Sequence, residues 1–424
     1  MTRVSGRRAI VSSTVIVAAA LGIAQVFSYA VSVVAARALG PEQFGVLAAL
    51  LGILLIGSVL AMGIQAVAAR RLVHLSPAQR DGASRDILRD GLVGGIAVAA
   101  ATIAISPLLM WLLRLDGWIP LLLAALAFVP LTWAGAQYGV AQGREAYSRL
   151  AAVYLAVGVG RGIGGVAGAL ATDSVIGTML GLTVGTAAGA LVGRLVVAPL
   201  SRGSRLSVDR FFGETAHATH ALLALFVLTN VDVLLARALL SPFEAGEYGV
   251  GAVIAKVAFW LPQFVGVVAF PRFADTRRAR ATVISLVAIA AMGAAVVAVT
   301  VLLPGLVVGF VGGSAYDDLV PIAWMFAAIG SLFALAQALL LTRLAVDDRR
   351  AVIAVWSAAV LLVALAALVM PRTVAGLASS ALIAGGCLAV LGVAVAARDV
   401  RSEWAAAGSH SSASASGSGQ VPGT

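Results

Sequence analysis

The chain has 424 residues, 61% of them hydrophobic and 11% charged, with a net charge of +10 and a mean hydropathy of +1.02. No water-soluble domain tolerates such a surface, so the sequence demands a bilayer as its apolar solvent. The single cysteine, Cys387, lies in an apolar segment and excludes disulfides, iron–sulfur clusters and cysteine zinc sites; His74, His217, His220 and His410 are scattered and form no metal motif, so no cofactor is expected.

A membrane helix needs about 20 apolar residues to cross a hydrocarbon core of ~30 Å, because its backbone polar groups must be satisfied internally. Arg3, Arg7 and Arg8 precede an apolar stretch of roughly 27 residues. That is longer than a signal-peptide core, so an uncleaved first span is expected. Twelve segments qualify as spans, near 10–36, 44–69, 91–113, 119–142, 150–171, 175–198, 217–239, 247–270, 281–303, 319–342, 351–370 and 374–396. The predicted fold is all-α, a polytopic membrane protein of about 12 transmembrane helices. The tail at 398–424 is rich in Ser, Gly and Ala, lacks apolar periodicity and is expected to be a disordered cytoplasmic end.

Basic residues set the orientation. Of the 29 Lys and Arg, twenty-two fall on the N-terminal side of the alternating connections, and only Arg37, Arg114, Arg237 and Arg372 fall on the other; Arg161, Arg194 and Lys256 lie within spans. Short cytoplasmic loops are enriched in positive charge, so both termini are expected in the cytoplasm and the chain in the plasma or inner membrane. A nucleic-acid partner would need a concentrated basic face, which this spread of arginines does not make.

The two halves repeat. Val33-Val-Ala-Ala-Arg37-Ala-Leu39 returns 200 positions later as Val233-Leu-Leu-Ala-Arg237-Ala-Leu239, and Gly40-Pro-Glu-Gln-Phe-Gly-Val46 has its counterpart in Ser241-Pro-Phe-Glu-Ala-Gly-Glu-Tyr-Gly-Val250. Six spans precede the basic linker and six follow it, so corresponding spans run in the same direction, as in transporters built from parallel repeats. The division expected is a lobe at 1–200, a cytoplasmic linker at 201–216, a second lobe at 217–397 and the tail.

At these residues the chain resembles the polysaccharide transporter family, the flippases of lipid-linked oligosaccharides within the multidrug/oligosaccharidyl-lipid/polysaccharide exporter superfamily. Arg37-Ala-Leu-Gly-Pro-Glu-Gln-Phe-Gly45 is similar to the family's first external turn, and Gly63-Ile-Gln65 with Arg70-Arg71 to the close of its second span. Asn230-Val-Asp232, Ala245-Gly-Glu-Tyr248, Pro262 and Pro271 are similar to its seventh and eighth spans. The resemblance implies two six-helix lobes around a central cavity that opens alternately to either side, and a substrate carrying phosphates on a polyprenyl lipid. Its implied partners are that lipid-linked glycan, membrane lipid and other cell-envelope assembly proteins.

An ionisable group at membrane depth is costly and so a functional candidate. Arg161 lies midway along span 5, Lys256 is the only lysine, and Asp232 is the sole acid within any span. Spans 7 and 8 form one hairpin, so Asp232 and Lys256 could form a structural ion pair or take part in transport. Arg161 could meet backbone carbonyls of its Gly-rich helix or face the cavity as an anion contact. Lys256, Trp260 and Gln263 recur at i, i+4 and i+7 on one helix face, and Gln25, Ser28, Tyr29 and Ser32 do the same in span 1. Such stripes face either a neighbouring helix or a watery cavity. The candidate substrate-binding set is Arg161, Lys256, Asp232, Asn230, Gln25, Tyr29, Trp260 and Gln263.

Gly177, Gly181, Gly185, Gly189 and Gly193 in span 6, with Gly160, Gly164 and Gly168 in span 5, have the spacing of close helix packing. Pro130, Pro262 and Pro321 are expected to bend their spans. Arg37 and Arg237 are expected to sit at the external interface with their charges in the headgroup region. A multidrug or cation antiporter of the same superfamily remains an alternative, although only Asp232 is available for coupling. A major-facilitator transporter has the same span count, but Leu75–Asp86 does not carry that family's loop pattern. An enzyme is not expected: external loops are too short for a glycosyltransferase, and Asp317-Asp318 reads as a helix N-terminal pair.

Overall fold

The computed structural model describes residues 2–201, 211–269, 278–344 and 349–416, and every regular element among them is helical. The N-terminal half comprises α1 (Thr2–Gly57), α2 (Val59–His74), α3 (Pro77–Ala104), α4 (Ser106–Leu113), α5 (Ile119–Gly143), α6 (Tyr147–Thr172) and α7 (Val175–Val197). The C-terminal half comprises α8 (Phe211–Leu228), α9 (Val231–Leu239), α10 (Pro242–Ala269), α11 (Arg278–Leu302), α12 (Pro304–Val311), α13 (Ala323–Leu344), α14 (Arg349–Ala364) and α15 (Val374–Ser416).

Nine of these helical runs are long and apolar enough to cross a membrane, or ten if the bent pair Thr219–Leu228 and Val231–Leu239 forms one span. One run, Val15–His74, has 60 residues. At 1.5 Å per residue it would reach about 90 Å, three times the hydrocarbon thickness, so it cannot be a single crossing. The break is at Gly40, whose φ of 72° and ψ of 172° suit a residue without a Cβ; Pro41 then opens the next helix, where no N–H is required. The outward faces agree with a lipid solvent: Trp111, Leu195, Leu302 and Leu368 are all more than 70% exposed.

Three further breaks follow chemical signals. Pro107 follows the break between α3 and α4, and Pro304 opens α12 after α11, so the third span of each half ends in an eight-residue helix. Between α8 and α9 the axis bends by 41° at Thr229 and Asn230. Pro321 sits in the short 3-10 segment Ser314–Ile322, which runs directly into α13 within the candidate span Ser314–Leu340. Pro130 lies inside α5, whereas the Pro262 side chain and residues 202–210 of the expected linker lie outside the described residues.

The tail differs from its sequence-based reading. α15 continues past the expected end near 396 as far as Ser416, through a stretch that includes Ala405, Ala406 and Ala407 and contains no proline before Gly417. Alanine carries the highest helix propensity, so a continuous helix does not require apolar periodicity.

The glycines of the fifth and sixth spans interlock. A Cβ at Gly164 would meet the carbonyl of Gly181, one at Gly168 that of Gly177, and one at Gly160 would lie 2.5 Å from that of Gly185. On another face of α6, Gly158, Gly162 and Gly165 receive Ala24, Phe27 and Val31 of α1. Lipid offers no hydrophobic drive to bring helices together, so van der Waals contact at short axial separation has to do so, and only glycine permits it here. α6 is therefore clamped between α1 and α7.

Gly164→Val should force α6 and α7 apart and lower stability by about 3 kcal/mol or more, read as a fall in midpoint in a detergent thermal-unfolding assay. Gly117→Val, at a position with nothing within 4 Å, should leave the midpoint unchanged. Equal midpoints for the two variants would show that the glycine ladder is not a packing device.

Candidate functional site

Where the halves meet, α1 packs on α10 and α2 on α8. Between them lies a cavity of about 110 Å³ lined by Gln25, Ser28, Tyr29 and Ser32 of α1, Arg161 of α6, and Lys256 and Trp260 of α10, with apolar neighbours such as Phe44, Leu55 and Leu182. The polar stripe of the first span thus faces a cavity. No carboxylate is among the lining residues. Arg161 makes no hydrogen bond or ion pair among the described residues, so its helix carbonyls do not absorb it. Tyr29 crosses the cavity wall, its hydroxyl donating to the Lys256 main-chain carbonyl at 3.1 Å.

Asn230 and Asp232 lie elsewhere. With Thr229, Phe226, Phe259 and Phe333 they line a second, smaller cavity walled mainly by the C-terminal half, which shares Leu55, Ala252, Lys256 and Trp260 with the first. Lys256 is therefore the only charged side chain common to both cavities. Of the eight residues selected from sequence, five line the central cavity and two, Asn230 and Asp232, line only its neighbour. The Gln263 side chain lies outside the described residues.

Asp232 does not make the structural ion pair with Lys256 that the sequence offered as one reading. Its Oδ2 accepts a hydrogen bond from the hydroxyl of Tyr248 at 2.9 Å, and among the described residues it forms no ion pair with Lys256. Both Asp232 and Tyr248 are buried, and Oδ1 of Asp232 and Oδ1 of Asn230 are left without a partner. Asn230 spends its amide on the Phe226 carbonyl at 2.9 Å, across the break between α8 and α9. Tyr248 was legible only as part of the second restart motif; nothing in its spacing marks it as a donor to an acid 16 positions earlier.

Where α2 meets α8, Arg71 of α2 forks onto Glu214 of α8 through Nε at 2.9 Å and Nη2 at 2.8 Å, with Arg70 at 3.6 Å. The Arg71 hydrogen bond holds the Glu214 carboxyl below its ordinary range. A depressed carboxylate stabilises above its unfolded pKa and loses that contribution as pH falls through the folded value, so this contact persists through neutral pH.

A family model for polysaccharide biosynthesis proteins matches residues 10–277. The chain belongs to that family. No curated protein matches it, but solved structures share its fold. An inward-facing multidrug resistance MATE family transporter of the MOP superfamily superimposes with a TM-score of 0.71 at 12% identity, covering 89% of this chain and 95% of that one. The outward-facing conformation of a transporter so described gives 0.66 at 12% identity, with 92% and 96% covered. A MOP superfamily transporter from Pyrococcus furiosus, described as having a binding pocket of reversed polarity that suggests a different function, gives 0.58 at 12%, with 92% and 96% covered. The fold is that of a membrane transporter, and the major-facilitator reading falls away.

Tyr248→Phe should take the side-chain donor from a buried carboxylate and cost about 1.5–3 kcal/mol of stability. In a double-mutant cycle with Asp232→Leu, measured by thermal unfolding, the two changes should couple by about 1 kcal/mol or more. Additive effects, with coupling instead between Asp232→Leu and Lys256→Met, would return Asp232 to Lys256.

Proposed function

We propose that this member of the polysaccharide biosynthesis family is a flippase. It moves a polyprenyl-diphosphate-linked oligosaccharide or polysaccharide precursor across the plasma membrane by alternating access, with 1–200 and 217–397 as the two moving lobes and both termini cytoplasmic. The observation that carries this reading is one cavity holding two cations, Arg161 and Lys256, from opposite halves, with no lining carboxylate. In a low-dielectric cavity, a guanidinium and an ammonium attract an oxyanion such as a diphosphate and disfavour a cationic drug. Gln25, Ser28 and Ser32 add neutral hydrogen-bonding groups of the kind a glycan requires, and Trp260 an apolar face for a sugar ring.

A second reading, a cation-coupled multidrug exporter, draws on the buried Asp232 with its unpartnered Oδ1 in the adjoining cavity. A shared fold at 12% identity does not transfer a substrate, and one of these neighbours is itself described in terms of a reversed pocket polarity.

Arg161→Gln and Lys256→Gln should each abolish flipping of the lipid-linked intermediate at matched protein level, while membrane insertion is retained. Lys256→Gln combined with Asp232→Asn should stay inactive, because removing the acid does not restore the cation. An active double mutant would remove Lys256 from the anion site. The exporter reading instead predicts drug resistance that is lost in Asp232→Asn and retained in Arg161→Gln.

Orientation has its own test. With Cys387 replaced, a cysteine at Ala315 should label with an impermeant thiol reagent in intact cells, and one at Gln79 should not. The reverse pattern would invert the topology.

A further inference from the structure

Arg37 and Arg237 are equivalent by the sequence repeat, and the structure gives them equivalent partners. Arg37 of α1 donates through Nη2 to the carbonyls of Gly309 at 2.8 Å and Phe310 at 2.7 Å, in the last turn of α12. Arg237 of α9 donates through Nε to the Leu113 carbonyl and through Nη2 to the Arg114 carbonyl, both at 3.0 Å, at the C-terminus of α4. Each arginine thus reaches out of its own half and caps the short terminal helix of the third span in the other half. Helix C-termini expose carbonyls short of intrahelical donors, and a cation there also meets the negative end of the helix dipole; the Gly309 carbonyl accepts from the Gly313 N–H at 3.1 Å as well as from Arg37. Neither side chain merely floats in the headgroup region.

Other bonds reinforce the pair. Arg114, in the left-handed conformation that ends α4, reaches the Leu240 carbonyl through Nη1 at 3.4 Å, and the buried Tyr316 hydroxyl donates to the Ala36 carbonyl at 3.0 Å. Three of the four basic residues on this side of the chain are therefore committed to bonds between the halves; Arg372 is the fourth. Between the two caps the restart segments touch. A Cβ at Gly45 would lie 2.9 Å from the Gly246 nitrogen, and one at Gly246 would meet the Pro41 carbonyl.

We infer that Arg37 and Arg237 form a two-part latch that holds the external side of the cavity shut, and that both must release before the cavity opens outward. The inference rests on alternating access as proposed above, but not on the identity of the substrate. The acceptors are main-chain carbonyls at the ends of eight-residue helices set off from the spans by breaks. The latch therefore releases by withdrawing a side chain, without unfolding either partner. The repeat places one bolt on each side of the Gly45–Gly246 contact, so losing one leaves the other in place.

The test is accessibility, which needs no transport assay. In a Cys387→Ser background, Ser32→Cys places a thiol in the cavity wall, and its labelling rate by an impermeant reagent added outside intact cells is measured. Arg37→Ala or Arg237→Ala should raise the rate about tenfold, as expected for loss of hydrogen bonds from a charged donor, and the double variant about a hundredfold if the sites act independently. Arg37→Lys and Arg237→Lys, which keep the charge but lack the longer, planar guanidinium, should fall between. Arg372→Ala should match the parent. Yield and gel-filtration profile are compared for every variant, and the lysine series stands in if an alanine variant fails to insert. Labelling that stays at the parental rate in the double alanine and both lysine variants overturns the latch. The flippase reading would be untouched by that result, because it is judged on Arg161 and Lys256.

Discussion

The constraint on which the structure depends is that a peptide group in hydrocarbon has no water to turn to. It makes every described element helical, and it also dictates what happens where a helix stops. At Gly40 the chain turns using a conformation suited to glycine, followed by a proline with no N–H to satisfy. At Asn230 a side-chain amide fills the Phe226 carbonyl. At the ends of α4 and α12 terminal carbonyls accept from across the molecule, from Arg237 and Arg37. The irregular places are thus where the two halves acquire specific contacts.

Packing follows from the same solvent. Lipid tails compete on equal terms with leucine, so helices adhere by closeness. α6 receives α7 on one glycine row and α1 on another, which ties Arg161 firmly to Gln25 and Tyr29. α10, bearing Lys256 and Trp260, belongs to the other half and touches this group through the Tyr29 hydrogen bond and the Gly45–Gly246 approach. Contacts between the halves include arginine to carbonyl at the ends of α4 and α12, and arginine to Glu214 where α2 meets α8.

Much of this was legible in the sequence because it depends on one-dimensional quantities. Apolar length marked the chain as a bundle of membrane helices, and a four-residue glycine period named the tight pair. Arg161, Lys256, Gln25, Tyr29 and Trp260 converged on one cavity because a polar group on a membrane helix has few other places to go. Partners were harder to read. Asp232 looked like a mate for Lys256 because opposite charges draw attention; its donor is the neutral hydroxyl of Tyr248, whose aromatic ring looks like any other apolar residue in the restart motif. Arg37 finds acceptors 272 and 273 positions away, and a main-chain carbonyl has no letter in the sequence. Arg71 and Glu214 are separated by 143 positions and pair only because α2 meets α8. The persistence of α15 to Ser416 leaves no trace in amphipathic period, because alanine-rich composition favours a helix without one.

Lys256 and Arg161 ride on different halves, so their separation is not fixed by either half's internal packing. Any rearrangement of one half against the other stretches or shortens the gap between the two cations. An anion with two charged groups at a set spacing acts as a gauge across that gap, held well in one geometry and poorly in others. A neutral molecule in the same cavity, or an anion with a single charge, has no such sensitivity. Discrimination between cargo and bystander, and the coupling of cargo to shape change, can therefore arise from the same two side chains.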